Sequence, residues 1–326
     1  MSAVARTRRG PAGFTCRPAD PAELATCGAI WRTAVNDYIV RLGQGEIPDE
    51  VNPATRLFIH LQATDPERFL VATIPDRTGE RVIGFASAVV RERLWYLSML
   101  FVLPDFQGAG LGRELLARLL PGENDAATVR ATATDSVQPI SNALYALHGM
   151  VPRMPLLNLT GLPQRPEAFG ELPSGVVPLP FDEIAGAEPG GQGHVMLVDA
   201  IDALDRALLG VAHPADHRFL RTESRRGWLY RGPDGEPVGY GYAGESGRLG
   251  PVAVRDPALL APVLGHLTTA VVPRGAFAMW VAGPADRALV PSLQAGFRLD
   301  QFPVLLCWDE PFADFSRYLP ISPGLL

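Results

Sequence analysis

The sequence predicts an α/β fold that occurs twice along one chain, each copy with a mixed, mostly antiparallel sheet flanked by helices. The length of 326 residues suits two domains of ordinary size. A stretch rich in proline and glycine, residues 161–175, lies near the middle of the chain and is typical of a domain boundary. The halves on either side repeat the same order of features. We therefore place the first copy at residues 12–162 and the second copy at residues 173–313.

Each half contains two strand-like runs around a turn cluster, which predicts a β-hairpin. The runs are residues 68–72 and 82–86 in the first half, and residues 227–230 and 238–242 in the second. A strand, a helix and then a glycine that ends another helix follow in each half, the glycine being Gly149 or Gly296. General α/β patterning could match by chance, but the shared order of four features favours a duplication.

Two helices are predicted before each hairpin. Residues 21–42 carry apolar side chains at a three- and four-residue spacing, which forms one apolar helix face. Asp20 is placed to cap this helix, Pro21 suits its first turn, and Glu23 completes a capping box. The other predicted helices span residues 52–62, 195–209 and 214–223.

The composition narrows the possible partners. The chain is 47% hydrophobic and carries a net charge of −6, which disfavours nonspecific nucleic-acid binding as its main task. No apolar run reaches the ~18 residues that a membrane span needs, and no apolar stretch follows the N-terminal arginines as a secretory signal requires. We expect neither nucleic acid nor membrane as a partner, whereas the oligomeric state stays open.

Cysteine and histidine patterns predict no metal site. Three cysteines without CxxC spacing argue against a disulfide framework or a zinc site and fit a reducing cytoplasm. His213 and His217 are four residues apart, but Pro214 disfavours a helix through His213. We interpret both histidines as solvated residues at a helix end.

A glycine-dense loop carries the chemistry of the first half. The apolar strand over residues 96–102 leads to Gln107-Gly108-Ala109-Gly110-Leu111-Gly112, and a helix follows over residues 113–120. Such a turn presents backbone amides at the positive end of a helix dipole, so it binds phosphate without lysine. Glycine is needed because a Cβ would hold the phosphate away from the backbone.

This loop has four possible interpretations. A Walker loop is excluded because the stretch contains no lysine. A dinucleotide fingerprint counted from Gly108 puts Arg113 at the third glycine, where close helix packing needs a small residue; this interpretation stays open, as does a purely structural turn. The pattern Gln/Arg-x-x-Gly-x-Gly/Ala after a strand ending in Val-x-Pro is satisfied at every fixed position.

This last pattern resembles the acetyl-coenzyme A signature of the GNAT acetyltransferase superfamily. A second segment, residues 142–150, resembles the family's helix ending in Leu-Tyr-x-x-x-Gly-Phe, with Met150 in the place of the aromatic residue. The family more often has asparagine seven positions before the tyrosine, where this chain has Gln138, whereas Asn142 lies three before it. The resemblance covers residues 14–159 and, more weakly, the second half.

The resemblance implies a central strand that splays from its neighbour and binds the pantetheine arm of acetyl-coenzyme A through its backbone. It also implies that the loop holds the pyrophosphate. The cofactor-binding residues it implies are Leu100, Phe101, Val102, Gln107, Gly108, Ala109, Gly110, Leu111, Gly112, Arg113 and Asn142.

The implied reaction is direct attack of an acceptor amine on the thioester. A backbone amide near Leu100 or Phe101 would stabilise the oxyanion, and Tyr145 would act as general acid toward the departing thiolate; a tyrosine packed in the core is the alternative. The chain is thus expected to be an N-acetyltransferase that uses a small-molecule amine. A noncatalytic acyl-coenzyme A sensor is the alternative function.

The general base and the acceptor pocket are less defined. Many relatives carry a glutamate on the central strand, which here offers only Tyr96 and Ser98 as polar groups. Glu92 in the preceding turn and Asp135 at the end of the next strand are interpreted as a solvated turn residue and a cap. The first two helices usually line the acceptor site, and the residues considered there are Trp31, Asp37, Tyr38 and Glu46, with Trp31 interpreted as core.

The second copy lacks both signatures. Aligning Val254 with Val102 puts leucines or proline at the loop positions: Leu259, Leu260, Pro262 and Leu264. Leucine side chains block a phosphate, and proline has no amide to donate. Ser292 stands where the first copy has Tyr145. We therefore expect the second copy to bind no coenzyme A.

Overall fold

The computed structural model describes residues 13–49, 55–77, 79–122, 127–186, 190–223, 225–300 and 302–326. They form two compact units. The first unit contains the described residues up to Val90 together with 95–122, and the second contains 91–94 together with 127–326. Among the described residues, no helix is long and apolar enough to cross a membrane.

Helices and antiparallel strands make up the first unit. Its strands are β1 (Thr15–Pro18), β2 (Phe69–Asp76), β3 (Gly79–Arg91) and β4 (Leu94–Val102), and its helices are α1 (Leu24–Ile39), α2 (Thr55–Thr64) and α3 (Leu111–Leu119). The strand order is β1-β2-β3-β4, and the predicted hairpin is β2 paired with β3. Phe58 of α2 packs against Phe69 and Phe85 of the sheet, with ring centroids 6.0 and 5.2 Å apart.

The start of α1 confirms the predicted capping box. The Asp20 carboxylate accepts a hydrogen bond of 2.8 Å from the Ala22 amide, and the Glu23 carboxylate accepts one of 2.8 Å from the Asp20 amide. A short 3₁₀ turn precedes α1, and another follows it before Gly43, which has a φ of 76°. The predicted helix over residues 21–42 is therefore present with its ends tightened. The first residues of the predicted helix over 52–62 lie outside the described residues.

The second unit contains ten strands and six helices among its described residues. The strands are β5 (Val129–Asp135), β6 (Val151–Gly161), β7 (Val177–Pro180), β8 (Arg225–Arg231), β9 (Pro237–Gly244), β10 (Leu249–Val254), β11 (Phe277–Ala282), β12 (Arg298–Leu299), β13 (Val304–Trp308) and β14 (Tyr318–Leu319). The helices are α4 (Pro139–Leu147), α5 (Phe181–Ala185), α6 (Gln192–Leu208), α7 (Pro214–Thr222), α8 (Leu260–Ala270) and α9 (Asp286–Ala295). The predicted hairpin and helix pair of the second half are thus confirmed, and so is the α/β fold class.

The two copies exchange their last strands. One strand order in the second unit is β5-β13-β6-β11. Val304 of β13 pairs with Asp135 of β5 on one side and with Leu156 of β6 on the other, and Leu156 in turn pairs with Ala282 of β11. The last strand of the first copy, β6, therefore lies beside β11 of the second copy. The last strand of the second copy, β13, lies beside β5 of the first copy. The compact units divide the chain differently from the copies for this reason, and the bounds 12–162 and 173–313 stay a prediction.

A second strand order, β14-β10-β9-β8-β7, makes a five-stranded sheet.

The proline- and glycine-rich stretch between the copies is packed against the core of this unit. Phe169 is buried and meets the ring of Phe297, with centroids 6.1 Å apart. The Gln164 amide donates to the Ala295 carbonyl at 2.7 Å. The predicted boundary is therefore an ordered part of the second unit.

Candidate active site

The predicted strand, loop and helix follow one another in the first unit. β4 is buried over its first five residues, whereas Met99, Leu100 and Phe101 are partly exposed. The amide of Leu103 donates to the Ile83 carbonyl at 2.9 Å, which holds the end of β4 beside β3. A 3₁₀ turn over Pro104–Phe106 then leads into the glycine loop.

Gly108 and Gly110 have the left-handed conformation that the loop requires. Their φ angles are +81° and +86°, and no described atom lies within 4 Å of the place where a Cβ would stand. Gly110 immediately precedes α3. Because the first amides of a helix have no partner within it, those of Leu111, Gly112 and Arg113 are left for a ligand or for water. The loop can therefore receive an anionic group without displacing protein atoms.

The side chain of Gln107 braces this loop. Its amide nitrogen donates to the Val102 carbonyl at 2.9 Å, so it ties the loop to the end of β4. Ala109 is partly buried and Arg113 is exposed. Direct cofactor contacts of these three side chains stay a prediction.

Asn142 fixes the first turn of α4 to the end of β5. Its side-chain nitrogen donates to the Asp135 carbonyl at 3.0 Å and to the Gln138 carbonyl at 2.8 Å. Its side-chain oxygen is buried and has no hydrogen-bond partner among the described residues. The donors of Asn142 are thus used within the protein, and only its acceptor could serve a ligand.

Tyr145 lies in α4 with only 4% of its surface exposed. Burial raises the pKa of its phenol most, the nearby Cys307 raises it further, and a hydrogen bond with Ser141 opposes them. The net pKa is well above the ordinary value, so the phenol keeps its proton at neutral pH. Gly149, with a φ of 88°, turns the chain from α4 into β6, as the sequence predicts.

The described residues supply no strong candidate for the base. Glu92 is bound to Arg206 at 2.8 Å, so it is an ion-paired turn residue rather than a merely solvated one. Tyr96 and Ser98 are buried in β4. Asp37, considered for the acceptor site, forms an ion pair with Arg41 at 2.9 Å.

The loop after α1 is held in place by Asn36. Its side chain donates to the Ile47 carbonyl at 3.0 Å and accepts from the Ile47 amide at 2.9 Å. Trp31 of α1 is only partly buried, so it lies beside the core face that the sequence pattern assigned to it. Trp31 and Tyr38 therefore keep some surface with which to line an acceptor site.

Part of the chain matches a known protein family. Residues 31–150 match the model of the Acetyltransferase (GNAT) family, a range that includes the glycine loop and Tyr145. This segment of the chain is therefore similar to the GNAT family. No curated protein matches it.

Solved structures share the GNAT fold along nearly the whole chain. A protein from Pyrococcus horikoshii assigned as an acetyltransferase has a TM-score of 0.71 at 15% identity, with 98% of this chain and 99% of that chain covered. A GCN5-related N-acetyltransferase from Sphaerobacter thermophilus has a TM-score of 0.57 at 19% identity, with 94% and 99% covered. A glucosamine N-acetyltransferase region of a fungal GH3 β-N-acetylglucosaminidase has a TM-score of 0.57 at 15% identity, with 92% and 38% covered. At these identities the likeness shows the fold alone, which is that of acyltransferases.

The corresponding segment of the second copy is closed by side chains. β10 leads through a 3₁₀ turn, Pro257–Leu259, into α8. Leu260 and Leu264 are completely buried in the core of the second unit. Pro262 stands in the first turn of α8 and has no amide to donate. This loop position is therefore part of the core.

The backbone of β10 is also occupied. Val252 pairs with Leu319 and Ala253 with Tyr318 of β14, and the Val254 amide donates to the Arg317 carbonyl at 3.0 Å. In the alignment of the copies these three residues of β10 correspond to Leu100, Phe101 and Val102. At the tyrosine position, Ser292 is buried and its hydroxyl donates to the Ala288 carbonyl at 2.7 Å.

His213 and His217 are both buried, with 1% and 4% exposed, so their interpretation as solvated residues is wrong. Pro214 does begin α7 directly after His213, but both rings face Asp205 of α6. Burial would lower the pKa of His213, and the carboxylates of Asp205 and Asp216 outweigh it and raise that pKa to about 10. The pKa of His217 is lowered, chiefly by burial. No local pattern revealed this contact between two helices.

Proposed function

We propose that the first copy binds acetyl-coenzyme A and transfers its acetyl group to an amine of a small molecule. The proposal rests on the open loop at the start of α3, in which Gly108 and Gly110 have the left-handed conformation. A helix N-terminus with free amides suits a pyrophosphate, because its partial positive charge and its donors act on the same group. The absence of lysine from the loop is no obstacle to this mode of binding.

In the proposed reaction the acceptor nitrogen forms a bond to the thioester carbonyl carbon, and the carbon–sulfur bond then breaks. A backbone amide near Leu100 or Phe101 would stabilise the oxyanion. Tyr145 would give its proton to the departing thiolate, and its raised pKa supports this role because the phenol arrives protonated. The proton lost by the amine passes to solvent, since no residue is assigned as the base.

A small amine is proposed as acceptor on two grounds. The exposed Glu46 puts negative charge in the loop that follows α1, which attracts a cationic amine. One structural neighbour is named a glucosamine N-acetyltransferase, and glucosamine is an amine of this size.

A thiol-release assay with a panel of amines tests this proposal. The panel should contain amino sugars, polyamines, amino acids and a lysine peptide, each with acetyl-coenzyme A. We expect amine-dependent release of free coenzyme A with at least one small amine. Acetyl-coenzyme A binding without release for any member would favour the second candidate, a noncatalytic sensor, for which the lack of a carboxylate on β4 is the supporting observation.

A further inference from the structure

The second unit contains a buried cluster of three metal-ligating side chains, Asp205, His213 and His217, which we call the Asp-His-His cluster. Asp205 belongs to α6, His217 to α7, and His213 directly precedes α7. Asp205 is fully buried, like both histidines. Nε2 of His217 lies 2.8 Å and Nε2 of His213 lies 3.2 Å from the same oxygen, Oδ2 of Asp205. Three potential ligand atoms therefore lie close together.

The outer atoms of the cluster already have neighbours. Nδ1 of His217 lies 2.9 Å from the Tyr242 hydroxyl, and Nδ1 of His213 lies 3.5 Å from Oδ2 of Asp216. The other oxygen of Asp205 accepts a hydrogen bond of 2.6 Å from Tyr240. Histidines that bind a metal in this way direct the second ring nitrogen to a carboxylate or another polar group, which fixes the ring. The cluster has both the inner donors and the outer supports of a metal site.

His213 provides a second, independent observation. Both of its ring nitrogens are buried, and neither makes a hydrogen bond of acceptable geometry with any described residue. A buried polar nitrogen without such a bond is costly, because it has lost its hydrogen bonds to water. The contact of Nε2 with Asp205 is close but poorly aligned for a shared proton. A bound cation would displace a proton from this nitrogen to solvent, use the lone pair that is left and so remove the cost.

Asp205 supplies the negative charge that a bound cation needs. Arg91 binds Asp216 through two hydrogen bonds of 2.8 Å, so Asp216 is neutralised by its own partner. Asp205 has no arginine or lysine partner among the described residues. Two imidazoles and one carboxylate without a thiolate are a donor set that suits Zn²⁺ better than Mg²⁺ or Ca²⁺.

We propose that Asp205, His213 and His217 bind one Zn²⁺ ion. The three ligand atoms lie close together, and the nitrogen–oxygen distances of 2.8 and 3.2 Å suit donors around a single ion whose bonds are about 2.0–2.2 Å long. A small groove beside His217 is lined by His194 and Asp202 and also by Arg218 and Arg221. The ion ties α6 to α7, and the proposal is independent of the proposed acetyltransferase activity.

Elemental analysis of the purified, dialysed full chain tests the site. We expect about one zinc per chain, no zinc in the variants His213→Gln and His217→Gln, and full occupancy in the control His266→Gln. His266 is a suitable control because it lies in the same unit and also bonds to a tyrosine, Tyr230, at 2.8 Å. The chain stripped with a chelator should bind one Co²⁺ with a visible absorption band and should recover its melting temperature with Zn²⁺.

Two results would overturn the proposal. One is a wild-type chain that carries no zinc, gives no band with Co²⁺ and shows no change in melting temperature with Zn²⁺; the cluster would then be held by protons alone. The other is zinc retained in both folded glutamine variants. If these variants do not fold, the Co²⁺ and melting measurements on the wild-type chain decide the matter by themselves.

Discussion

The strand, loop and helix of the first copy and those of the second share one plan and differ in what fills the turn. β4 leads to α3 through glycines with open space beside them, whereas β10 leads to α8 through leucines that belong to the core. Gly108 aligns with Leu260, and Gly110 with Pro262. The same strand, turn and helix can therefore form either an open loop or a segment of the core. Which of the two forms depends on whether the turn residues carry side chains.

In the second copy, another strand of the chain also occupies the backbone of β10. The tail strand β14 pairs with β10 at the positions that align with Leu100 and Phe101. Backbone groups that would serve a pantetheine arm are thus satisfied within the protein. Loss of the glycines and use of the strand backbone point the same way, toward one coenzyme A site per chain.

The largest expected effect is a loss in the free energy of unfolding, caused by Leu260→Ala. Leu260 is completely buried, and removing a buried leucine side chain costs about 2–5 kcal/mol of the free energy of unfolding. The aligned change in the first copy, Gly108→Ala, should cost only the strain of a positive φ, about 1–2 kcal/mol. Chemical denaturation of both variants checks the pair. If Leu260→Ala lowers the free energy of unfolding by less than Gly108→Ala does, the segment around Leu260 is not part of the core.

Gly110→Leu should weaken acetyl-coenzyme A binding at least about 100-fold, equal to roughly 2.7 kcal/mol. The new side chain would project into the open space at the start of α3 and keep a phosphate from the amides. Isothermal titration measures the loss. Gly235→Leu is the matched control, since Gly235 has a φ of +83° and an equally open surrounding; equal loss in this control would attribute the effect to strain instead.

Tyr145→Phe should lower turnover about 10- to 100-fold with little change in acetyl-coenzyme A affinity, because only the proton donor is removed. Tyr230→Phe, another buried tyrosine, should keep full turnover. Since the pKa of Tyr145 is raised above the ordinary 10.0, its acid form persists to high pH. The ratio of wild-type to variant turnover should therefore stay constant from about pH 7 to pH 10. Unchanged turnover would remove Tyr145 from the mechanism.

Gln107→Ala should have the smallest effect, a loss of about 2- to 10-fold in acetyl-coenzyme A affinity. The variant loses one hydrogen bond to the Val102 carbonyl, and such a bond contributes about 0.5–1.5 kcal/mol. Gln164→Ala, whose side chain also donates to a carbonyl, should leave binding unchanged. An affinity loss above 100-fold for Gln107→Ala would indicate direct contact with the cofactor.

Local features of this fold were predictable from sequence, because their causes lie within a few residues. The capping box needs only Asp20 and Glu23, and the glycine loop needs only its own spacing. The exchange of β6 and β13 was not predictable, since Val304 and Asp135 are far apart in sequence and several apolar strands could pair equally well. The burial of His213 was missed for the same reason: its partner Asp205 lies on another helix.

We propose that the first copy binds the cofactor, whereas the second copy is closed. Isothermal titration of the full chain with acetyl-coenzyme A tests it most directly, because the titration counts sites. We predict one equivalent per chain for the wild type and none for Gly110→Leu. Two equivalents in the wild type, or one equivalent retained in the variant, would contradict the account.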